Sequence, residues 1–459
     1  MVEPHLRELP EDRPNGLDAD LHADAVAALD TEDRDTIRAA AGELHVADLA
    51  DLIEQLSHDR RRLLIEALGG DLDPELLSEL HGPVLTEVLD LIGPREAAAA
   101  LSQLETDDAV YVLNEFDDAH QREVLAELPA EDRRTLQAGL AYPEDSAGRL
   151  MQRDVVAVAD YWTIGRTLEY FRQEADLPDR FYEIIVVDGL RRPVGTLPLD
   201  RILRTNADLP IGMIMEPAEH LVPVDMDQEE VAFLFQQYRL MSAAVVDRDG
   251  LLAGVIMADD VADVIEEEVE EDAMLLGGVA ETDIQETVWT TTRTRFAWLF
   301  VNLGTAFLAS AVIGMFDAAI EKIVALAVLM PIVASMGGNA ATQTLTVAVR
   351  TLATRELTAA NARRVVLKEA MVGAINGVVF AAIVGGIGYA WFGDWELGAV
   401  FALSMIINMI AAALAGVLVP VTLDRLGVDP AVASGVFVTT VTDVVGFFAF
   451  LGLAALLLL

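Results

Sequence analysis

Polar side chains line one face of a segment that is otherwise apolar enough to cross a membrane. Within residues 330–350, MPIVASMGGNAATQTLTVAVR, five polar residues stand at positions i, i+3, i+4, i+7 and i+11, which share one stripe of a helix. Such a stripe must face water or protein, and we predict that it lines a water-filled path. The alternative is a kinked helix whose amides bond to neighbouring helices. The stripe consists of Asn339, Thr342, Gln343, Thr346 and Arg350.

The same segment contains residues that weaken a helix. Pro331 has no backbone N–H, and the pair Gly337-Gly338 is predicted to interrupt the hydrogen-bond ladder. At membrane depth, such breaks are tolerated only where other helices or a water-filled cavity satisfy the freed carbonyls. We therefore predict that Pro331 also lines the path.

A single carboxylate lies midway along the last apolar segment, in SGVFVTTVTDVVGFFAF. This residue is Asp443, and Thr439 and Thr440 precede it by four and three residues on the same helical face. An isolated Asp at membrane depth costs about 2.5 kcal/mol or more unless water, a partner or an ion meets it. The segment holds no cationic residue, so we predict a cation site; the alternative is a protonated Asp that hydrogen-bonds between helices.

The available ligands indicate which cation this site would take. Carboxylate, amide and hydroxyl oxygens without His or Cys suit hard ions, and Mg²⁺ in particular keeps its waters and touches few carboxylates. One Asp per chain, doubled by a symmetric partner, would fit a hydrated Mg²⁺. Three further amides in apolar segments, Asn302, Asn376 and Asn408, are predicted to hold helices together.

A second group of acids precedes the apolar segments. Nine of the fourteen residues in 259–272, DDVADVIEEEVEED, are acidic. Like charges one helical turn apart destabilise a helix, so bound divalent cations or, less specifically, salt must offset the repulsion. We predict a cation-binding helix that continues past Gly277-Gly278 toward the first membrane span. Its acidic face consists of Asp260, Asp263, Glu267 and Glu271, with Glu268 and Asp272 on its flanks.

Charge and hydropathy divide the 459 residues into two parts. The net charge is -44, yet 53% of the residues are hydrophobic. From residue 290 onward there are nine basic and nine acidic residues, so the excess acid lies entirely in the first part. Only two of the 31 basic residues are lysines, a composition that we interpret as halophile-like, since high salt screens an acidic surface. No basic patch is present for nucleic acid, which disfavours it as a partner.

The pattern of periodicity predicts a multidomain membrane protein. Short amphipathic helices separated by Gly and Pro are typical of an all-α helical solenoid. Strand-like segments follow, and then five apolar segments, each long enough to span a bilayer, at residues 295–316, 323–349, 366–392, 397–423 and 431–457. The predicted divisions are a flexible lead-in (1–20), a helical N domain (21–141), an α/β region (142–265), a connecting helix (266–292) and an all-α five-helix membrane domain (293–459).

The α/β region repeats itself after about 60 residues, and its pattern of strand, helix, two strands and helix resembles a tandem pair of CBS domains. Val186-Val187-Asp188 and Gly195 recur as Val245-Val246-Asp247 and Gly254. Related CBS pairs carry a hydroxyl residue in the last turn that helps to bind an adenine nucleotide. Here Pro198 and Met257 occupy those positions, so two readings stay open, a nucleotide sensor and a dimerisation scaffold.

Basic residues indicate the orientation in the membrane. If the acidic domains are cytoplasmic, eight basic residues flank the spans inside and only Lys322 lies outside, as the positive-inside rule requires. The N-terminus and the soluble domains are then cytoplasmic and the C-terminus lies outside a cell membrane that the chain crosses several times. The eight inner residues are Arg293, Arg295, Arg350, Arg355, Arg363, Arg364, Lys368 and Arg425.

Together, these segments resemble the MgtE family of magnesium channels over nearly the whole chain. The matching motifs are PIVASMGGNAATQTLTVAVRTLATREL in the second span, RRVVLKEAMVG at the start of the third, and GVDPAV followed by TTVTDVVG around the fifth. The resemblance implies a homodimer whose second and fifth spans line the pore. It also implies that Asp443 selects the ion and that Asn339 lies near it.

The resemblance further implies gating by cytosolic Mg²⁺. Ions bridge acids of the N domain, the CBS pair and the connecting "plug" helix to close the pore, and repulsion between those acids opens it when Mg²⁺ is scarce. Asp107 and Asp108 are the predicted N-domain partners, while Arg239 stands where related proteins can carry an acid, so one site is expected to be lost or rearranged. By motif position, the regulatory acids are Glu229, Asp260, Asp263, Glu268, Glu271, Asp272 and Asp429.

Three functions are compatible with these features. The first is a passive Mg²⁺ channel gated by Mg²⁺, and the second is an exchanger that couples Mg²⁺ to Na⁺ through the same membrane residues. The third is a membrane-anchored nucleotide sensor without transport, which leaves the polar stripe and Asp443 unexplained. We do not expect an enzyme, because the sequence has neither a phosphate-binding loop nor the spacing of a catalytic triad.

Overall fold

Two units make up the described part of the chain, one up to Glu266 and one from Glu267. A computed structural model describes them, and most of the predicted lead-in lies outside the described residues. The described residues are 19–31, 33–174, 177–178, 180–279, 288–358 and 360–459.

The first unit begins with short helices, which confirms the predicted helical N domain. Side chains cap several of them; the Asp117 carboxylate, for example, accepts hydrogen bonds from the N–H groups of Ala119 and His120. Gly93, with φ of +82°, ends one helix and Pro94 begins the next. The helices are α1 (Ala19–Leu29), α2 (Arg34–Ala41), α3 (Val46–Gln55), α4 (His58–Leu68), α5 (Gly82–Ile92), α6 (Pro94–Leu101), α7 (Thr106–Asn114), α8 (Asp118–Glu127) and α9 (Ala130–Leu140).

The rest of the first unit alternates strands and helices, as the CBS-like repeat predicts. Its two sheets have the strand orders β1-β2-β3-β4 and β5-β6-β7, and in each the first pair is parallel and the second antiparallel. The elements are α10 (Ala147–Leu150), β1 (Ala157–Ala159), α11 (Ile164–Gln173), β2 (Glu183–Val187), β3 (Pro193–Pro198), α12 (Leu199–Arg204), β4 (Glu216–Pro217), β5 (Val222–Pro223), α13 (Gln228–Tyr238), β6 (Ser242–Val246), β7 (Leu252–Met257) and α14 (Ala258–Leu276), whose residues from Glu267 onward belong to the second unit.

The segment before each copy of the repeat forms backbone hydrogen bonds with a strand of the other copy. β4, which precedes the second copy, pairs with β3 of the first. Gln152, which precedes the first copy, exchanges N–H to O hydrogen bonds with Val255 of the second. A Cβ atom on Gly195 would lie 2.5 Å from the carbonyl oxygen of Glu216, and one on Gly254 would lie 2.5 Å from that of Gln152. Only glycine fits at these two crossings.

We predict that Gly254→Ala destabilises the soluble unit by about 2 kcal/mol. The new methyl group would contact Gln152 O at 2.5 Å and Met151 Sδ at 2.7 Å, so β7 or the segment before β1 must shift. Thermal unfolding would measure this as a lower midpoint. Gly189→Ala is the control, because no atom of the described residues lies within 4 Å of its Cβ position. Equal midpoints for the two variants would contradict the close approach.

Five helices of the second unit are long and apolar enough to cross a membrane, which confirms the five predicted spans. The fourth lies centrally among them, with Phe401, Met405 and Met409 buried. Small residues let the third approach it closely; a Cβ on Gly377 would lie 3.1 Å from Ile406 Cα. The helices are α15 (Val288–Gly314), the short α16 (Asp317–Lys322), α17 (Ala325–Ala353), α18 (Ala362–Phe392), α19 (Trp395–Arg425) and α20 (Ser434–Leu457).

Two expectations about glycine pairs are wrong. α14 does not continue past Gly277-Gly278 but ends at Leu276, because Gly278 adopts φ of +69°. Conversely, Gly337-Gly338 do not interrupt α17, which is one continuous helix from Ala325 to Ala353 with Pro331 inside it. In α17 these glycines serve close packing instead.

Candidate metal sites

The polar stripe predicted on the second span is one exposed face of α17. Its residues are not covered by other helices of the described chain, whereas Val333, Ala341 and Leu345 on other faces are fully buried. Pro331, two turns before Asn339, is exposed as well. The exposed stripe residues are Asn339, Thr342, Gln343, Thr346 and Arg350.

The threonine hydroxyls near this face use their protons within their own helices. Thr342 donates to the carbonyl oxygen of Gly338 at 3.0 Å, and Thr346 donates to that of Thr342 at 3.0 Å. On α20, Thr439 donates to the carbonyl oxygen of Gly435, and Thr440 donates to that of Val436 at 2.5 Å. Each hydroxyl oxygen therefore keeps its lone pairs for other groups, and such oxygens suit water or a hard cation.

Asp443 is half-buried on α20 and makes no hydrogen bond or ion pair with any other residue that the structure describes. It lies one turn beyond Thr439, whose Cγ2 would be 3.4 Å from a Cβ on Gly338, the neighbour of Asn339. Asn339 and Asp443 thus stand on packed segments of α17 and α20. The alternative of an Asp that hydrogen-bonds between helices finds no partner among these residues.

A second group of acids comes together inside the first unit. Asp107 and Asp108 lie in the first turn of α7, and Asp260 and Asp263 in the first turns of α14. The negative charge of Asp260 acts on Asp107, and that of Asp263 acts on Asp108. The predicted N-domain partners are therefore next to two of the predicted regulatory acids.

Burial and like charge raise the pKa values of this group. Desolvation is the largest cause at Asp107, whose pKa is well above its usual value, and the charges of Asp260 and Asp108 add to it. Desolvation together with the charge of Glu105 raises the pKa of Asp108 to about 7. Desolvation and the charge of Asp259 raise that of Asp260 to about 7, although the Met257 N–H donates to its carboxylate at 3.2 Å. This group is energetically unfavourable when ionised and without a counter-ion.

The group fits a hydrated cation better than a dehydrated one. Asp107 is 8% exposed, and among the residues that the structure describes its Oδ1 has no hydrogen-bond partner. In the described part of the chain, no three His, Asp or Glu side chains are placed to ligate one ion directly. Mg²⁺ keeps several waters and is held by one or two carboxylates, which matches this donor set.

We predict that, without divalent cations, the soluble unit loses stability as pH rises from about 4 to about 7. Asp107, Asp108 and Asp260 hold their protons in the folded state at pH values where the unfolded chain has released them. The free energy of unfolding therefore falls through this window, by at least about 2 kcal/mol.

Thermal unfolding in a chelator at fixed ionic strength would measure this loss. Asp108→Asn should flatten the pH dependence, whereas Glu123→Gln, the same charge change at an exposed position, should not. A pH dependence that Asp108→Asn leaves unchanged would contradict the assignment.

The sequence interpretation missed two further acids of this group. Glu105 and Glu79 both contribute charge to Asp108. The Gln152 amide also donates a hydrogen bond to the Glu105 carboxylate, which joins the helical and α/β parts of the unit. The run Glu105-Thr106-Asp107-Asp108 at the start of a helix was the available signal for Glu105.

The other predicted regulatory residues lie on two helices, α13 and α14, and in the loop before α20. Glu229 is exposed in the first turn of α13, and on α14 Glu271 is exposed while Glu268 is half-buried. In the second unit, burial and the charge of Asp429 raise the pKa of Asp272. Asp429 is exposed, and its carboxylate accepts a hydrogen bond from the N–H of Ala431 at 2.8 Å, just before α20.

The end of α14 packs on the membrane-spanning helices. Leu275 and Leu276 contact a buried cluster that includes Ala341 and Leu345 of α17 and Val438 of α20. The helix that carries Asp272 is therefore anchored on the two spans that carry Asn339 and Asp443. Movement of this helix end would change the packing of both spans.

The structure describes the three positions of the CBS-like region at which the resemblance implies a departure from the family pattern. Arg239 ends α13 in a left-handed conformation with φ of +55°, and its side chain is exposed. Pro198 ends β3 and Met257 ends β7, so neither strand end offers a hydroxyl.

Family comparisons cover most of the chain. The MgtE family, described as a divalent cation transporter, matches residues 330–453. The MgtE intracellular N domain matches residues 44–145, and a CBS domain matches residues 211–267.

Two curated relatives align over nearly the full length, and both are named Magnesium transporter MgtE. The one from Thermus thermophilus is 33% identical over 440 residues, which cover 94% of this chain and 97% of the relative. The one from Bacillus subtilis is 26% identical over 418 residues, 91% of this chain and 93% of the relative. A crystal structure of the cytosolic domain of the Mg²⁺ channel MgtE in complex with ATP is 31% identical, with a TM-score of 0.50, and covers 53% of this chain and 99% of that one.

Proposed function

The chain belongs to the MgtE family of magnesium transporters, and on this premise we propose that it conducts Mg²⁺ passively across the cell membrane into the cytosol. The observation that carries the proposal is the exposed polar face of α17 beside the carboxylate of Asp443, which has no partner among the described residues. Lipid would not tolerate these groups, so water and a cation must meet them. Asp443 and Asn339 act as ion ligands in this proposal. Thr342, Gln343, Thr346, Thr439, Thr440 and Pro331 line the path.

A homodimer would complete the path. Polar faces that one chain leaves open can face each other across a twofold axis, because a symmetric interface uses the same surface twice. Two Asp443 carboxylates would then flank one hydrated Mg²⁺, which needs few protein ligands. The positive-inside arrangement supports cytoplasmic soluble domains and an external C-terminus.

Cytosolic Mg²⁺ closes the channel in our proposal. Burial first and like charge second raise the pKa values of Asp107, Asp108, Asp260 and Asp263. Mg²⁺ near these acids would offset both effects by stabilising the ionised carboxylates. A second ion would act in the same way between Asp272 and Asp429. When Mg²⁺ is scarce, repulsion separates these acids, and α14 transmits the change to α17 and α20 through Leu275 and Leu276.

The remaining regulatory acids complete this scheme. We propose that Glu229 in the first unit and Glu268 and Glu271 in the second are further acids that bind regulatory Mg²⁺, as the family resemblance implies. Arg239 stands where relatives can carry an acid, so we propose that one regulatory Mg²⁺ site is lost there.

The CBS-like region raises the question of regulation by an adenine nucleotide. A solved relative of the soluble domains contains ATP. In this chain Pro198 and Met257 replace the hydroxyl residues at the strand ends, so we infer that Mg²⁺ rather than an adenine nucleotide sets the gate. The high surface acidity, interpreted as halophile-like, stays a prediction that a salt titration of stability would check.

A flux assay with purified protein in liposomes would test the proposal. We expect Mg²⁺ to enter with no other ion gradient present, at a rate that falls as Mg²⁺ on the side of the soluble domains rises. Flux that requires a Na⁺ gradient would identify a coupled exchanger instead. Nucleotide binding without any cation flux would identify a sensor.

A further inference from the structure

Asn408 of α19 is a fully buried amide at the meeting point of three membrane-spanning helices. Its side chain has no exposed surface. Its Nδ2 donates a hydrogen bond to the carbonyl oxygen of Val333 on α17 at 2.8 Å. Amides in apolar spans commonly hold helices together, and this one was predicted to do so. Asn302 and Asn376, for which the same was predicted, are exposed within the chain.

Two glycines, one on α17 and one on α20, contact this amide from its two sides. A Cβ built on Gly337 of α17 would overlap Nδ2 and lie 2.9 Å from Cγ of Asn408. One built on Gly446 of α20 would lie 2.8 Å from Nδ2 and 2.9 Å from Cγ. The amide therefore fills the space between the backbones of α17 and α20, and no larger residue fits on either side.

The amide is not needed for packing alone. Its Oδ1 has no hydrogen-bond partner among the described residues although it is buried, which costs free energy that an apolar side chain of similar size would avoid. The presence of a buried amide whose Oδ1 is unsatisfied within the described chain is better explained by the spacing that it sets between α17 and α20 than by a contribution to stability.

The two glycines that contact the Asn408 amide lie close in sequence to the two proposed ion ligands. Gly337 lies two residues before Asn339, and Gly446 lies three residues after Asp443. Since the side chain of Asn408 separates these two backbone segments, its size sets how far Asn339 is from Asp443.

We propose that Asn408 is a positioning residue that fixes the separation of Asn339 and Asp443 and thereby the discrimination between Mg²⁺ and larger divalent cations. This inference rests on the proposed ion path. Mg²⁺ holds its water oxygens at about 2.0–2.1 Å and Ca²⁺ at about 2.3–2.6 Å. The two hydrated ions therefore differ in radius by a few tenths of an ångström, and a shift of that size in the spacing of Asn339 and Asp443 favours one ion over the other.

The test measures the ratio of Mg²⁺ to Ca²⁺ flux in liposomes that contain full-length variants. Asn408→Ala removes the spacer, and we expect the ratio to fall about tenfold, a change of about 1.4 kcal/mol in discrimination. Folded protein, measured by gel filtration and thermal unfolding, normalises the flux. Asn302→Ala, which removes an exposed amide from another span, should leave the ratio unchanged.

A double variant keeps the test decisive if Asn408→Ala folds poorly. Gly337→Ala should fold poorly because its methyl group overlaps the amide, and adding Asn408→Ala should restore folding because the methyl group then fills the vacated space. The restored protein should still discriminate poorly, because two methyl groups without the amide and its hydrogen bond to Val333 do not hold the two backbones at the original separation.

Two results would overturn the proposal. One is a Mg²⁺ to Ca²⁺ ratio in Asn408→Ala, or in the double variant, equal to that of the wild type. The other is a Gly337→Ala defect that Asn408→Ala does not relieve. A wild-type protein that passes no Mg²⁺ would instead refute the proposed function, so the two failures are distinguishable.

Discussion

Replacing Asp443 by asparagine is expected to reduce Mg²⁺ flux by about 100-fold, which corresponds to about 3 kcal/mol. The carboxylate lies half-buried beside the polar face of α17 and has no partner in the described chain. An amide of the same shape keeps the packing of α20 but removes the negative charge that attracts a hydrated divalent cation into the path. Flux into liposomes, normalised to folded protein, would measure the loss.

The control for this variant is Asp424→Asn, which makes the same chemical change at an exposed position near the end of α19. It should conduct at close to the wild-type rate. Undiminished flux through Asp443→Asn, with the variant properly folded, would mean that the ion does not pass this carboxylate.

Neutralising the acid group between the helical and CBS-like regions is expected to remove control by Mg²⁺. In the variant Asp107→Asn/Asp260→Asn, two charges that repel each other in the folded unit are gone. The contact between α7 and α14 then no longer needs a cation to hold it. We expect flux at low internal Mg²⁺ to fall by about tenfold, equivalent to about 1.4 kcal/mol in favour of the closed state, and to respond little to added Mg²⁺.

The matched control is Glu123→Gln/Glu127→Gln, which removes the same charge from exposed positions on α8. It should retain the response to Mg²⁺. If the Asp107→Asn/Asp260→Asn variant instead keeps both its low-Mg²⁺ flux and the wild-type inhibition, this acid group does not control the gate.

Local patterns predicted most of the architecture. The helical period of Asn339, Thr342, Gln343 and Thr346 predicted one polar face on the second span, and that face is exposed on α17. The five spans follow from the length of the apolar segments. The end of α14 was predicted wrongly, although Gly277-Gly278 is a common signal for the end of a helix.

Contacts between distant segments could not be predicted from such patterns. The repeat showed that Gly195 and Gly254 correspond, but not that Gly254 packs on the backbone of Gln152, ahead of the other copy. Span amides look alike in sequence, so nothing distinguished the buried Asn408 from the exposed Asn302. Whether a polar residue meets a partner depends on helix rotation, which the sequence of a single span does not determine.

In the acid group, too, some members could be predicted from the sequence and others could not. The density of acids in α14 marked Asp260 and Asp263 as candidates, and the resemblance to relatives suggested Asp107 and Asp108. Glu79 joins them only through folding, since it lies far away in sequence and its surroundings contain no comparable run of acids.

The most direct test of the account is electrical recording from the full-length protein in a planar bilayer with Mg²⁺ as the main permeant cation. We expect currents that reverse at the equilibrium potential of Mg²⁺ and that stop when Mg²⁺ is added to the side of the soluble domains. If no such current is seen while the protein still transports Mg²⁺ when a Na⁺ gradient drives it, the protein is not a passive, Mg²⁺-gated channel.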